Sequence, residues 1–339
     1  MNGAFVIAEA GVNHNGDLAL ALKLCDAARD AGADAVKFQT FRAEDLVVRG
    51  APTAAYQARE TGESDQFEML RKLELDEAQH RAIRDHCNAI GIEFFSTPFS
   101  LDAVDLLVKL GVRRLKMPSG ELTHRALIEH AAATRLPLLV STGMATLDEC
   151  RTALAWVRAA RGSDDGLVFM HCTSAYPASD DALNLSAIPA MRRELGVAIG
   201  YSDHSLGIEA SQAAVALGAV AIEKHLTLDR SMPGPDHSAS LEPAAFGDMV
   251  RGIRRIDRMR GDGVKAPRPE ERDAARVARR SVVAAVDIAA GARIEASMLA
   301  CRRPATGIEP ADQQKVVGRT ARTAIAAGTV LQWDLLGSP

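Results

Sequence analysis

Apolar runs of four to seven residues recur along the first two thirds of the chain, separated by stretches in which apolar residues return every three or four positions. The runs predict strands at 5–8, 35–39, 93–96, 114–117, 138–141, 167–171, 197–201 and 219–225. The intervening stretches predict helices. Leu18, Leu22, Cys25 and Ala28 fall on one face of a helix over 18–31, and Val104, Leu107, Val108 and Leu110 mark another. Gly32, Gly91, Gly111 and Gly218 stand just before strands, where glycine accepts the left-handed conformation that ends a helix.

Eight such alternations within roughly 250 residues predict an α/β fold, a TIM (β/α)8 barrel, over 1–260. No GxGxxG follows the first strand, which disfavours a dinucleotide-binding open sheet. The segment 40–75 is too long for a simple connection and predicts a lid or an interface arm. From 251 the chain turns arginine-rich, with Pro267 and Pro269, and 261–280 reads as a linker. Residues 281–339 break into short β-like pieces. Within them DIAAGARI (287–294) and AIAAGTVL (324–331) resemble each other, which predicts a compact β domain with internal pseudo-symmetry.

Composition narrows the function classes. Of 339 residues, 47% are hydrophobic and 25% charged, an ordinary globular balance. The net charge of -4 argues against a general nucleic-acid binder, and Glu270, Glu271 and Asp273 interrupt the arginines of 251–280. The N-terminus lacks a basic region followed by a long apolar one. The most apolar later stretch, 210–222, is too short to span a bilayer and carries Gln212. The expectation is a cytoplasmic protein without a membrane partner. Five cysteines with no CxxC pair predict reduced thiols, and Cys172 reads as a core thiol.

In a barrel of this type, chemistry collects at the C-terminal ends of the strands. Those ends carry Glu9, Lys37, Gln39, Thr97, Lys116, Ser119, Ser141, Tyr176, His204 and His225. His204 and His225 close successive strands and form a candidate pair of ligands for a divalent cation; donation of hydrogen bonds is the alternative. Glu9, on the first strand, neighbours the eighth. Lys37, Lys116, Ser119 and Ser141 form a candidate site for a phosphorylated, carboxylated anion, helped by amides of a helix opening at 119–121. For Lys37, in AVKFQ (35–39), a structural salt bridge competes with that reading, because a buried ammonium needs a partner. A Schiff-base aldolase needs no metal, so the histidine pair weighs against it.

The strings IAEAGVNHNGD (7–17), GADAVKFQT (32–40), FFSTPF (94–99), LKMPSGE (115–121), LLVSTGM (138–144), HCTSAYP (171–177), IGYSDHS (199–205), EKH (223–225) and MPGPDH (232–237) together resemble the bacterial sialic acid synthase family. That family includes N-acetylneuraminate and N,N'-diacetyllegionaminate synthases. The last 60 residues or so, including RRP (302–304), resemble the antifreeze-like SAF domain attached to these enzymes. The resemblance implies a metal-dependent condensation of phosphoenolpyruvate with open-chain N-acetylmannosamine, then water addition and phosphate release. The alternative acceptor is a 2,4-diacetamido hexose. More distant rivals are another 3-deoxy sugar acid synthase and a non-catalytic glycan binder.

The resemblance also implies roles. His204 and His225 hold Mn2+, with Mg2+ or Co2+ as substitutes. Lys37, Thr97, Lys116, Ser119 and Ser141 bind phosphoenolpyruvate, with Ser202 lining the same region. Gln39, Tyr176 and Asp236 contact the sugar or order its surroundings, and Glu9 handles protons. Arg303, from the SAF domain of the second subunit of a domain-swapped homodimer, reaches the N-acetyl group. Ser174 and Ser238 depart from the family's usual residues on the expected sugar side.

Overall fold

The eight expected strands are present as β1 (Phe5–Gly11), β2 (Ala35–Thr40), β3 (Glu93–Pro98), β4 (Leu115–Met117), β5 (Leu138–Ser141), β6 (Leu167–Cys172), β7 (Ala198–Asp203) and β8 (Ala221–His225). The computed structural model describes residues 3–338 and pairs these strands in parallel, in the order β3-β2-β1-β8-β7-β6-β5-β4. β3 and β4 lie against each other without a backbone ladder among the described residues, so the barrel is nearly closed. Pairing of β1 with β8 sets Glu9 level with His225, and pairing with β2 sets it level with Lys37. Three candidate side chains thus meet at one height of the rim.

Strands buried on both faces need apolar side chains throughout, and Val6, Ala8, Val36, Phe38, Phe95, Val140, Phe169 and Ile199 provide them. Gly200 marks a close approach: a Cβ there would lie 2.8 Å from the Ala221 carbonyl oxygen and closer still to the Met170 sulfur, so only hydrogen fits between β7 and its neighbours.

Several helices start at side-chain caps. Asp17 accepts from the Ala19 amide at 2.7 Å, and Thr146 with Glu149 forms a capping box for Leu147–Arg161. Two expected faces are corrected. In Leu18–Asp30 the buried line runs through Ala21, Leu24, Cys25 and Ala28, with Leu18 and Leu22 half-buried on its flanks, because small alanines allow the closest approach to the strands. In Leu101–Lys109, Val108 is 44% exposed; it lies one residue, about 100°, beyond buried Leu107.

The 40–75 segment carries three short helices, Ala43–Leu46, Ala55–Thr61 and Gln66–Arg71. Val12, Phe41 and Leu73 form a small core beneath it, and the Arg49 guanidinium stacks on Phe67 at 4.2 Å.

The chain divides into two compact units between Gly261 and Asp262. In the second, β9 (Ser281–Ala284) pairs antiparallel with β10 (Leu299–Arg302), and Val282, Ile288, Ile294, Ile308, Ile325 and Leu331 form its core. The two similar octapeptides pair with each other through Ile288 and Ile325, and each turns at a glycine of positive φ, Gly291 and Gly328. The stretch read as a linker is not a plain spacer. It contains the helix Arg272–Ala278, tied to this unit by the Ala305 amide donating to the Arg276 carbonyl at 2.9 Å.

Candidate active site

Period-two alternation along a strand sends every second side chain to the same face. Lys37 and Gln39 on β2, Ser202 on β7 and Glu223 and His225 on β8 share the inner rim in this way. They open into a cavity of about 450 Å³. Glu9, Thr97, Lys116, Ser119, Ser141, Tyr176, His204 and Asp236 line the same cavity, so the structure assembles every candidate from the barrel at one place. The 40–75 segment supplies a further wall through Tyr56 and Gln57. Arg303 lies in the second unit, exposed, its Nε donating to the Ala278 carbonyl at 2.9 Å.

Two lysines and two glutamates form the floor. Lys37 Nζ is 2.8 Å from Glu9 Oε2 and 3.8 Å from Glu223 Oε2, and Lys116 Nζ is 3.4 Å from Glu223 Oε1. The ammonium groups also donate to hydroxyls, Lys37 to Thr97 and Lys116 to Ser141, each at 2.6 Å. All four charged groups are buried. The partner that buried Lys37 requires is therefore a protein carboxylate, where the anion-site reading expected a ligand to provide it. Formal charges cancel within the cluster.

The two carboxyls are driven apart. Burial, with the charge of Glu223 adding to it and Lys37 opposing, pushes Glu9 up to about 7. Burial would raise Glu223 too, but Lys116, Lys37 and the two histidines outweigh it and hold it down at about 2. One carboxyl can exchange a proton near neutrality while its neighbour stays charged, the division of labour that acid–base sites use. Burial also lowers Lys116 from the usual lysine range.

The histidines stand beside this cluster with ring centroids 5.5 Å apart. His204 Nδ1 donates to the Thr173 carbonyl at 2.8 Å, so Nε2 is the nitrogen left to meet a ligand; burial would lower this ring, but Cys172, the Thr173 carbonyl and Glu223 outweigh it and raise it from the ordinary histidine range. His225 Nδ1 is buried and has no hydrogen-bond partner, with the Asp236 carboxylate 3.8 Å away. Burial, aided by His204, holds His225 well below the ordinary histidine range, so it is neutral. A carbonyl fixing one ring and an orphaned nitrogen on the other fit a pair of imidazole ligands for a divalent cation. Among the described residues no three histidine, cysteine or acidic side chains cluster as a metal site, so protein donors alone would leave open positions. Tyr176 packs on His204 at 4.2 Å, and Tyr56 stacks on Tyr176 at 5.2 Å, giving the cavity an aromatic side.

Directly behind the histidines, Asp203 and Lys224 point the opposite way. Their ion pair, at 2.9 Å, is fully buried, and Asp203 also accepts from the hydroxyls of Ser205 and Ser211, each at 2.6 Å.

Several expectations change. Ser119–Glu121 is a single 3-10 turn and the α-helix proper starts at Arg125, so a short turn and not an α-helix end borders the cavity at Ser119 and Gly120. The Ser119 hydroxyl already accepts from the Gly143 amide at 2.9 Å. Cys172 is not a core thiol. It lines the cavity, with its Sγ 3.7 Å from both His204 Nδ1 and Ser119 Oγ. Ser174 lines the cavity, whereas Ser238 is absent from its wall and uses its carbonyl to hold Arg230. Glu223 was not among the candidates, although it stands two residues before His225 and alternation aims both inward. Tyr56 carried no usable signal, because it comes from an irregular segment far from any strand end.

Comparison with known proteins agrees with this geometry. A protein of Legionella pneumophila named N,N'-diacetyllegionaminic acid synthase is 46% identical over 97% of this chain and 94% of its own length. A Campylobacter jejuni protein of the same name is 42% identical, over 95% of this chain and 96% of the relative. A crystal structure of an N-acetylneuraminic acid (sialic acid) synthetase from Leptospira borgpetersenii, in complex with citrate, is similar with a TM-score of 0.73 and 35% identity, covering 80% of this chain and 90% of that one. The SAF domain model matches residues 279–337, and the NeuB family model matches residues 24–265. With most of the barrel matched and relatives this similar along nearly the whole chain, the protein belongs to the NeuB family.

Proposed function

We propose that the protein condenses phosphoenolpyruvate with an open-chain 2,4-diacetamido hexose to form an N,N'-diacetyllegionaminic acid. The observation that carries the reaction class is the buried Glu9–Lys37–Glu223–Lys116 cluster beside two histidines at the barrel rim. The acceptor reading is supported by the relatives at 46% and 42% identity that carry that product in their names. N-acetylmannosamine is the second reading, favoured by the 35% identical sialic acid synthetase.

Lys37, Lys116, Thr97 and Ser141 take the phosphate and carboxylate of phosphoenolpyruvate, with Ser119 and Ser202 alongside. Gln39, Tyr176 and Asp236 orient the sugar. The terminal methylene carbon of phosphoenolpyruvate then bonds to the aldehyde carbon. Water adds to the neighbouring carbon, and the resulting intermediate loses phosphate by carbon–oxygen cleavage. Glu9, poised near neutrality, handles the proton at the aldehyde oxygen or on the attacking water. The lysines stabilise charge as it moves between sites. His204 and His225 would hold a divalent cation, Mn2+ in our reading, which when bound supplies Lewis-acid polarisation of the aldehyde.

The active form is a homodimer in this reading, with Arg303 of the partner subunit reaching the acetamido group and closing the rim against water. No helix among the described residues is long and apolar enough to cross a membrane. In this reading the protein works in the cytoplasm, where phosphoenolpyruvate is made.

The test is phosphate release from phosphoenolpyruvate with Mn2+, comparing the two acceptors. A higher kcat/KM is expected with the diacetamido sugar. A higher value with N-acetylmannosamine would transfer the assignment to the second reading. Release with neither sugar would overturn the synthase function.

A further inference from the structure

Asp236 lies on the wall of the cavity, yet no hydrogen bond from the described residues reaches its carboxylate. His225 Nδ1 stands 3.8 Å from it, beyond hydrogen-bond reach. The carboxylate is placed by its backbone, on a connection after β8 whose one regular element is the 3-10 turn His237–Ala239. What holds this connection is the Asn13-His14-Asn15 turn that follows β1.

Asn15 spends both ends of its amide on it. Nδ2 donates to the Pro233 carbonyl at 3.0 Å, and Oδ1 faces His237 Nε2 at 3.2 Å. With Nδ2 committed to a carbonyl, Oδ1 must accept, so Nε2 carries the proton. His237 Nδ1 then accepts from the Thr227 hydroxyl, 2.6 Å away. Asn13 completes the clamp. Its Nδ2 donates to the Leu226 carbonyl and to Ser240 Oγ, each at 2.9 Å, and Ser240 Oγ in turn donates to the Asp236 carbonyl at 2.6 Å. Asn13 and His237 are fully buried. Asn15 sits at φ 51, in the left-handed region, where asparagine is tolerated far better than most residues. Gly234, between the two anchor points, packs so closely that a Cβ would come 2.8 Å from Asn15 Oδ1.

We propose that Asn13, Asn15 and His237 are positioning residues that act on the acceptor sugar through Asp236, independently of the phosphoenolpyruvate half of the site. The inference rests on the assignment of Asp236 to the sugar under the proposed function. None of the three lines the cavity. Each loss leaves a buried or committed polar partner unsatisfied and frees the connection to drift, whereas Lys37, Lys116 and Glu223 stand on β2, β4 and β8, and Glu9 is held within β1 by its pairing with β2 and β8.

The experiment is a double-mutant cycle on the full chain, using Asn15→Gly, which keeps the positive φ, together with Asp236→Asn. Asn15→Gly should raise KM for the sugar about tenfold and leave KM for phosphoenolpyruvate within about twofold. The double variant should be no worse than Asp236→Asn alone, because the clamp has nothing left to position. His237→Ala should behave as Asn15→Gly does, and His237→Gln, whose amide reaches where Nε2 stood, should recover most of the loss. This pair gives an answer if Asn15→Gly folds poorly. Independent, multiplying effects in the double variant, or an equal rise in KM for phosphoenolpyruvate, would overturn the proposal. So would wild-type sugar kinetics in Asn15→Gly while Asp236→Asn is impaired; that result leaves the function intact. If Asp236→Asn itself has normal sugar kinetics, the sugar assignment of Asp236 falls and the clamp's role falls with it.

Discussion

Replacing Lys116 by methionine removes one of the two cations of the floor while keeping the length and bulk of the stem, so the effect is electrostatic and not a cavity. Lys116 Nζ now donates to Ser141 at 2.6 Å and faces Glu223 at 3.4 Å. A phosphate bound there loses one charge-assisted hydrogen bond, about 2–3 kcal/mol, or roughly 30- to 150-fold in affinity. The neighbouring change acts in the same direction. Of its two lysines Glu223 keeps the more distant Lys37, at 3.8 Å, so the cavity becomes more negative toward an incoming anion. Two measurements report on this. Calorimetric titration with phosphoenolpyruvate in the absence of sugar reads the anion half alone, and steady-state kinetics read both Michaelis constants. The expected result is a large rise for phosphoenolpyruvate and little change for the sugar, in a protein whose thermal unfolding shows it is folded. A rise for the sugar with phosphoenolpyruvate unchanged would mean that the two halves of the site are assigned the wrong way round.

Lys224→Met strands the Asp203 carboxylate, fully buried behind the histidines, and should destabilise the barrel by about 3 kcal/mol in urea unfolding; a loss below about 1 kcal/mol would show that the serine hydroxyls suffice. Exhaustive chelation should abolish phosphate release and Mn2+ should restore it. His225→Ala should weaken Mn2+ at least about tenfold in direct titration, and full turnover in metal-stripped protein would refute the role. Arg303→Ala and Glu9→Ala chains, each inactive alone, should recover activity when mixed, since one composite site per mixed dimer is intact; continued inactivity after demonstrated subunit exchange would exclude the cross-subunit arrangement.

The strands were legible because their signal is local. Runs such as AVKFQT and FFSTP need burial on both faces whatever surrounds them, and a glycine such as Gly91, at φ 79, ends its helix from its own backbone freedom. The rim residues were legible for a related reason. Once strands and their direction are known, the polar residue at each C-terminal end is a matter of counting, and all of those named on the barrel line one cavity. Cys172 and Val108 went astray because a one-residue difference in phase turns a strand or helix position from core to cavity or solvent, and apolar character alone does not carry the phase.

Pairings across the barrel were a different matter. That Lys37 is neutralised by Glu9 and Glu223 depends on β1 lying between β2 and β8 and on the register that sets residues 9, 37 and 225 level. The separation of Glu9 to about 7 from Glu223 at about 2 depends on which of them the two lysines and two histidines surround. The clamp from Asn13 and Asn15 joins residues more than 200 positions apart. Composition, hydrophobic period and turn residues act within a few neighbours, so they determine elements and the ends that carry function. Electrostatic energies fall with distance in space, not along the chain, and the distances exist only after the barrel has brought its first and last strands together.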